Sequence, residues 1–376
     1  MLIKKTIMKI INKSLFVISM FLLFLLSACH SYKTGNKHIS VSLKLIEPAS
    51  VQNISVTTDI IKNRLIAYGI PEKNIATTTS TDIINIDVIH ADNPDRIIYL
   101  ITTPGKLEFW ETYEFKDIFQ FIDKADKILK DSFYTFDNIS KVTVKDLKVK
   151  TDTSESLSLL DKASKNRALS SPTKNKDILI KTNPLFAYLR LSTAKDEEGN
   201  IVLVKGPDVG WCEMTDTAVV NKMLSQSYVR SILPKDLKFA WTVKPFLETT
   251  SFKLIALKYP EHSDQPRLTG EVITDAKKLF DQTGRPEISI SMNGEGARIW
   301  KDMTSLAVTE NRSIAIVLDN CVITSPFVES EISDGHTNLA GNFTKEEAED
   351  LAIIMKLHQL PVKFTIKETK IMEESK

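Results

Sequence analysis

The chain of 376 residues contains only three cysteines, 12 glycines and six histidines, and each shortage closes off a class of fold or function. So few cysteines cannot staple a chain of this length, so its core must hold it together. His30, His38, His90, His262, His336 and His358 are scattered, and none makes the i, i+4 pair with glutamate that a zinc hydrolase needs. No G-x-S-x-G elbow, P-loop or C-x-x-C pair occurs. Gly294-Glu295-Gly296 lacks the third glycine of a dinucleotide loop and reads as the entry to a helix. Asp319 follows an apolar strand, a place where catalytic acids often sit, but Asp319-Asn320 is explained more simply as hairpin chemistry. The residues therefore point away from an enzyme, and to no metal, cofactor or nucleotide.

Long apolar runs are also scarce. One lies near the N-terminus, from Leu15 to Leu26, broken only by Ser19. As a helix it would rise roughly 18 Å, short of the ~30 Å hydrocarbon core of a membrane. Lys4, Lys5, Lys9 and Lys13 precede it without an acidic residue, the pattern of a secretory signal. It closes on Leu26-Ser27-Ala28-Cys29, which resembles a bacterial lipobox and makes Cys29 the expected lipidation site, carrying diacylglycerol and palmitate-type chains. Two or three acyl chains anchor stably where one does not. His30 to Lys33 lack the acidic cluster of a surface-export signal, so the expected location is the cell envelope, facing the periplasm.

Charge of one sign is missing too. Residues 1–28 hold four lysines and no acid, which leaves 45 basic against 48 acidic side chains in the remaining 348 residues. That balance gives nucleic acid no electrostatic foothold. Apart from Cys29, the cysteines are Cys212 and Cys321. A disulfide between them and two buried thiols both fit the sequence.

What is present reads as α+β. Ile39, Val41, Leu43 and Leu45 alternate as a half-buried strand. Ile54, Ile61, Leu65 and Tyr68 form one helical stripe, stopped by Gly69 and Pro71. Ile84, Ile86 and Val88 alternate again. Asn93-Pro94 opens a short helix, and Leu107 and Phe109 begin a third strand, expected to complete one sheet with helices on one face. From Asp137 to Asn183 the chain turns polar, as in KASKNRALSSPTKNKD, and reads as an exposed, partly disordered insertion. Ala218 to Leu224 follows as a helix, with strands at Ala240 to Val243 and Phe252 to Leu257.

A second α+β unit starts near Leu268. Thr274 to Phe280 is expected as a short helix and Ile288, Ile290 and Met292 as a strand. Asn293 caps a helix with Ala297, Trp300, Thr304 and Ala307 on its inner stripe. Ile314 to Leu318 is a continuous apolar run, expected of a central strand. Thr344 to Glu347 spells a capping box before a helix burying Ala348, Leu351, Ala352 and Met355. Val362, Phe364 and Ile366 alternate as a final strand. Trp110, Trp211, Trp241 and Trp300 could line a peptide groove, although Trp300 is better placed in a core.

The second unit resembles the first large periplasmic domain of SecD, the membrane subunit that assists the Sec protein translocase. The resemblance runs through Leu268-Thr269-Gly270-Glu271, Thr274-Asp275-Ala276, Met292-Asn293, Glu295-Gly296-Ala297, Trp300 and Thr304. It continues through Ile314 to Asp319, Ser325-Pro326, Gly335, Gly341-Asn342-Phe343-Thr344, Glu347-Ala348, Leu351-Ala352 and Leu360-Pro361. Asn63-Arg64, Tyr68-Gly69 and Pro104 to Trp110 extend it into the first unit, and Asp208 to Thr217 looks like the fused SecD–SecF proteins. Two departures stand out. A lipoprotein signal replaces the first membrane helix, and the family glycine before Leu-Pro is replaced by His358-Gln359. The membrane helices that carry proton flow in SecD are not expected here.

The resemblance implies a ferredoxin-like base subdomain with an inserted α+β head subdomain. The expected division is a signal peptide at 1–28, an anchor linker at 29–38 and the first part of the base at 39–115. An insertion at 116–267 follows, with its polar loop near 137–183. Then come the head at 268–358, a returning base strand at 359–370 and a tail at 371–376. The function implied is a lipid-anchored module that binds unfolded polypeptide or docks on Sec translocase subunits, without energy coupling of its own; no polypeptide-binding residue can be assigned from sequence. The alternative is a structural or envelope-assembly lipoprotein that keeps the fold without the translocase role.

Overall fold

A computed structural model of the chain describes residues 35–139, 172–246 and 249–373. They form two compact units: one takes the described residues up to Thr103 and from Leu360 onward, the other runs from Pro104 to Gln359.

In the first unit, β1 (Lys37–Leu45) buries Ile39, Val41, Leu43 and Leu45 on one face, as its alternation requires. Helix α1 (Val51–Tyr68) begins where the Ser50 side chain accepts the Asn53 N–H and ends at Gly69, whose φ of 113° only glycine adopts cheaply. Its buried stripe includes Ile54, Ile61, Leu65 and Tyr68. Strands β2 (Ile75–Thr79) and β3 (Ile83–Ala91) follow, then α2 (Pro94–Thr102), entered through Asn93, which accepts the Arg96 N–H, and Pro94. The last strand, Phe364–Glu373, returns to pair antiparallel along all of β1. The order is last strand, β1, β3, β2, every neighbour antiparallel. This is the ferredoxin-like βαββαβ arrangement, with its sixth element supplied from the other side of a long insertion. Leu107 and Phe109 do not join this sheet, contrary to the expectation. The strand that does, β2, reads Ile-Ala-Thr-Thr-Thr and buries little beyond Ile75, so its hydrophobic signal is faint.

The second unit opens with β4 (Leu107–Thr112) and helix α3 (Phe115–Ile139). Helix α3 is absent from the sequence-based expectation, although Phe115, Ile118, Ile122, Ala125 and Leu129 are buried along it at helical spacing. Residues 140–171 of the expected polar loop lie outside the described residues. Residues 137–139 of that loop end α3, and 172–182 form a helix, α4 (Pro172–Thr182), followed by α5 (Pro184–Tyr188). Short strands β5 (Arg190–Leu191), β6 (Thr193–Lys195) and β7 (Ile201–Leu203) lead to β8 (Asp208–Glu213). Helices α6 (Thr217–Leu224) and α7 (Ser227–Arg230) precede β9 (Leu237–Trp241) and β10 (Ser251–Lys258). One apolar core joins α3, α5, α6 and α7 to the face of β8 and β10 through residues such as Ile122, Leu185, Val220, Val209 and Leu254.

Beyond β11 (Leu268–Thr269), the residues expected as a helix form strand β12 (Ile273–Phe280), paired with β13 (Pro286–Met292) from Ile273–Met292 to Phe280–Pro286. The Asp281 to Arg285 turn sets that pairing. Asp281 Oδ1 accepts the Thr283 and Arg285 N–H groups, and Gly284 takes φ 82°. Helix α8 (Gly294–Glu310), strands β14 (Ile314–Leu318), β15 (Cys321–Thr324) and β16 (His336–Leu339), and helix α9 (Lys345–Lys356) complete the unit. A three-stranded sheet runs β12-β13-β16. The larger sheet runs β15-β14-β4-β10-β8-β5, with β11 on β4 and β9 on β10. A parallel bridge between Thr242 and Val322, with the Val243 N–H donating to the Val322 carbonyl at 2.8 Å, ties the end of β9 to β15. Strands β4, β14, β15, β9 and β10 thus close into a small barrel, filled by Trp110, Ile255, Leu257, Ala315, Val317 and Val322.

Candidate functional site

The chain crosses between the two units at Thr103–Pro104 and at Gln359–Leu360, and within each unit side chains bond close to these points. On the first unit, the wholly buried Arg64 of α1 donates through Nη1 to the carbonyls of Leu100 (3.2 Å) and Thr103 (2.6 Å). A guanidinium there caps the C-terminal end of α2, where carbonyls lack helical donors and the helix dipole favours a cation.

Within the second unit, the hairpin between β14 and β15 secures the incoming strand. Asp319 and Asn320 have φ 51° and 70°, the left-handed pair of a tight hairpin turn. The Asp319 carboxylate accepts the Gly105 N–H at 3.0 Å and the Lys106 N–H at 2.8 Å, and its own N–H donates to the Lys106 carbonyl at 3.0 Å. At the other end of the unit, His358 takes φ 63°, and its Nδ1 lies 3.2 Å from the Gly270 carbonyl oxygen. A left-handed backbone is one that glycine adopts without strain, so a glycine would suit this position. A Cβ on Gly270 would come within 2.9 Å of Leu107 Cβ, so that residue must stay small.

The barrel carries a cluster of charged side chains. Glu108 is 1% exposed; its Oε1 is 2.5 Å from Lys106 Nζ and its Oε2 accepts the Trp110 Nε1–H at 3.0 Å. Lys238 of β9 places Nζ 4.1 Å above the Trp110 ring and 5.8 Å from the Tyr259 ring. Burial holds the Lys238 ammonium below its ordinary pKa; Glu108 opposes that shift and Lys106 adds to it.

A second buried carboxylate, Asp126 of α3, accepts the N–H groups of Leu185 (2.8 Å) and Phe186 (3.3 Å) and Asn183 Nδ2–H (2.9 Å). It caps α5 from outside, since Asn183 makes no side-chain cap of its own. Burial outweighs these bonds and pushes its pKa up to about 6.

The residues singled out from sequence fall in varied places. Cys29 lies outside the described residues. Cys212 is buried and Cys321 half-buried, and both are free thiols; burial pushes Cys212 up to about 12. Trp110 fills the barrel, and Trp300 packs edge-on against Phe109. Trp211 lies under Arg190 and beside Phe246, and Trp241 donates to Asn221. Gly296 stands where a Cβ would meet Val272 at 2.7 Å, and its N–H donates to Asn293 at the start of α8. Packing and capping therefore account for Gly296. Ser291 and His336 approach to 2.9 Å on an exposed strand pair, but Asp334 accepts the His336 backbone N–H rather than orienting the ring. Among the described residues, no group of His, Cys, Asp or Glu could hold a metal ion.

Arg64, Glu108, Lys238 and Asp126 escape sequence reasoning as site residues. Asn63-Arg64 and the Pro104 to Trp110 string carry a signal only as family pattern, and nothing local marks Lys238 or Asp126.

Comparison with known proteins adds the following. Residues 255–362 match the family described as SecDF, P1 head subdomain. The protein translocase subunit SecD of Rhodothermus marinus is 28% identical over 356 residues, covering 91% of this chain and 50% of the relative. SecD of Dictyoglomus turgidum is 36% identical over 117 residues, covering 31% of this chain and 29% of its own length. Among solved structures, SecDF in its super-membrane-facing form aligns with 95% of this chain and 35% of its own, at 20% identity and a TM-score of 0.46. The chain thus spans half or less of the length of these relatives.

Proposed function

From a chain that is SecD-like over most of its length and carries a SecDF P1 head subdomain at residues 255–362, we propose a module of protein export, anchored through lipid on Cys29 and facing the periplasm. It binds unfolded polypeptide or docks on Sec translocase subunits by equilibrium binding, with no energy coupling of its own. The observation that carries this reading is the nested build. The head match falls almost wholly inside an insertion within a ferredoxin-like base, and Arg64, Gly105 and Asp319 fall on the strings that resemble SecD.

Crosslinking in the native envelope tests it. Translocase subunits should co-purify with the full chain. Recovery of envelope-assembly proteins alone would favour the structural alternative. A reduced, unfolded carrier protein should bind with Kd on the order of micromolar, because ordering a flexible ligand offsets much of the interaction energy. That binding should be indifferent to ATP and to a proton gradient.

A further inference from the structure

One end of the barrel holds two ammonium groups and the Glu108 carboxylate, with the Asp319 carboxylate held nearby on the Gly105 and Lys106 amides. Both oxygens of Glu108 are engaged, one by Lys106 Nζ and the other by the Trp110 indole. Lys238 rests on Trp110 and Tyr259, and among the described residues no carboxylate oxygen lies within 4.0 Å of its Nζ. The Lys106 side chain is 42% exposed, so the cluster opens to solvent on that side while Glu108 is sealed beneath it. An ammonium drawn partly out of water without a counterion is costly, and a ring face offsets only part of that cost. Burial disfavours its charge, Glu108 favours it and Lys106 disfavours it.

We propose that this end of the barrel is a carboxylate-binding spot, in which Lys106 and Lys238 together hold one anionic carboxylate above the buried Glu108. Glu108 is taken up by Lys106 and Trp110 and Asp319 by backbone amides, which leaves Lys238 as the ammonium that an added monoanion would meet. The two donors are point-charge ammonium groups rather than a planar guanidinium fork, so they read charge more than shape. The carboxylate can come from a glutamate or aspartate side chain on an extended polypeptide or from a small free acid. The inference does not depend on the export reading.

The test is site-resolved acylation of the full chain by an amine-reactive ester, read by peptide mass spectrometry at constant ionic strength. N-acetylglutamic acid α-amide is the probe and N-acetylglutamine amide its neutral control. The acid should slow acylation of Lys238 about threefold at tens of millimolar, the range of a weak single-site interaction, and leave Lys222 and Lys235 unaffected. Glu108→Gln removes the competing charge and should tighten protection roughly fivefold; Lys106→Met should weaken it. Because Glu108 is buried, the urea midpoint of each variant is measured alongside, and Lys106→Met serves if Glu108→Gln does not fold. Equal protection by the neutral amide or by chloride, or equal protection at Lys222, overturns the proposal. A disordered, N-acetylated, lysine-free peptide with one Glu, against its Gln twin, separates the sources. Protection at much lower concentration than the free acid assigns the spot to polypeptide; protection by the free acid alone assigns it to small carboxylates.

Discussion

The His358 ring meets the Gly270 carbonyl at 3.2 Å from a backbone in the left-handed region, φ 63°. The ring finds a polar partner at a position where its Cβ costs about 1–2 kcal/mol. His358→Gly should therefore leave stability within about 1 kcal/mol, because relief of the backbone strain offsets removal of the ring's hydrogen bond. His358→Val keeps the strain and cannot reach the carbonyl with a polar atom, so it should be the more damaging change. Urea midpoints of the two variants decide this.

Asp319 ties the hairpin to the incoming strand through two backbone amides. Asp319→Ala leaves both amides short of an acceptor and puts alanine at positive φ, so a loss of about 2–4 kcal/mol is expected. Asp319→Asn should lose less, because asparagine tolerates the turn and retains one acceptor. Equal effects of the two changes would show that the carboxylate, not the turn, sets the cost.

Arg64 should tolerate no neutral replacement. Arg64→Met leaves the Leu100 and Thr103 carbonyls without this donor inside the first unit, and about 2–4 kcal/mol of stability should go with it. Amide hydrogen exchange should rise first in the last turn of α2.

Asp126 sets a pH dependence whose sign follows from its environment. Its folded pKa, about 6, lies above the ordinary value of 3.8, so the folded chain keeps this proton longer than the unfolded one. Its contribution to stability is fully present below about pH 4 and is lost as pH rises through about 6, amounting to roughly 3 kcal/mol. Asp126→Asn should remove that part of the slope. Urea midpoints between pH 4 and pH 7.5 for both proteins measure the difference.

Anchoring should depend on one sulfur atom. Cys29→Ser should abolish incorporation of a fatty-acid analogue and leave an unprocessed precursor; equal label on the variant would remove the lipid anchor from the proposal.

Much of this architecture is written in local pattern. The alternation of β1, the stripe of α1 and the capping box are legible because neighbours in sequence decide them. In that box Thr344 Oγ1 accepts the Glu347 N–H and Glu347 accepts the Thr344 N–H in return. The errors lie where tertiary pairing decides. Ile-Thr-Asp-Ala-Lys-Lys-Leu-Phe carries good helix formers, yet the Asp281 to Gly284 turn pairs it with β13. Phe115 to Leu129 has a clear helical stripe that is masked by the polar run after it. The cluster of Lys106, Glu108, Trp110 and Lys238 is out of reach of sequence reasoning, because only closure of the barrel brings β9 to β4.

The split base also fixes an order of events as the chain emerges. β1 exchanges ladder hydrogen bonds with a strand synthesised only after the whole of Pro104 to Gln359. Closing so long a loop is slow, while the intervening unit is contiguous and can fold from its own interactions. Until the last strand arrives, one ladder edge of β1 stays open, a template for stray strands. The inserted unit therefore matures first, and the base is the late, aggregation-exposed step of the protein's own biogenesis.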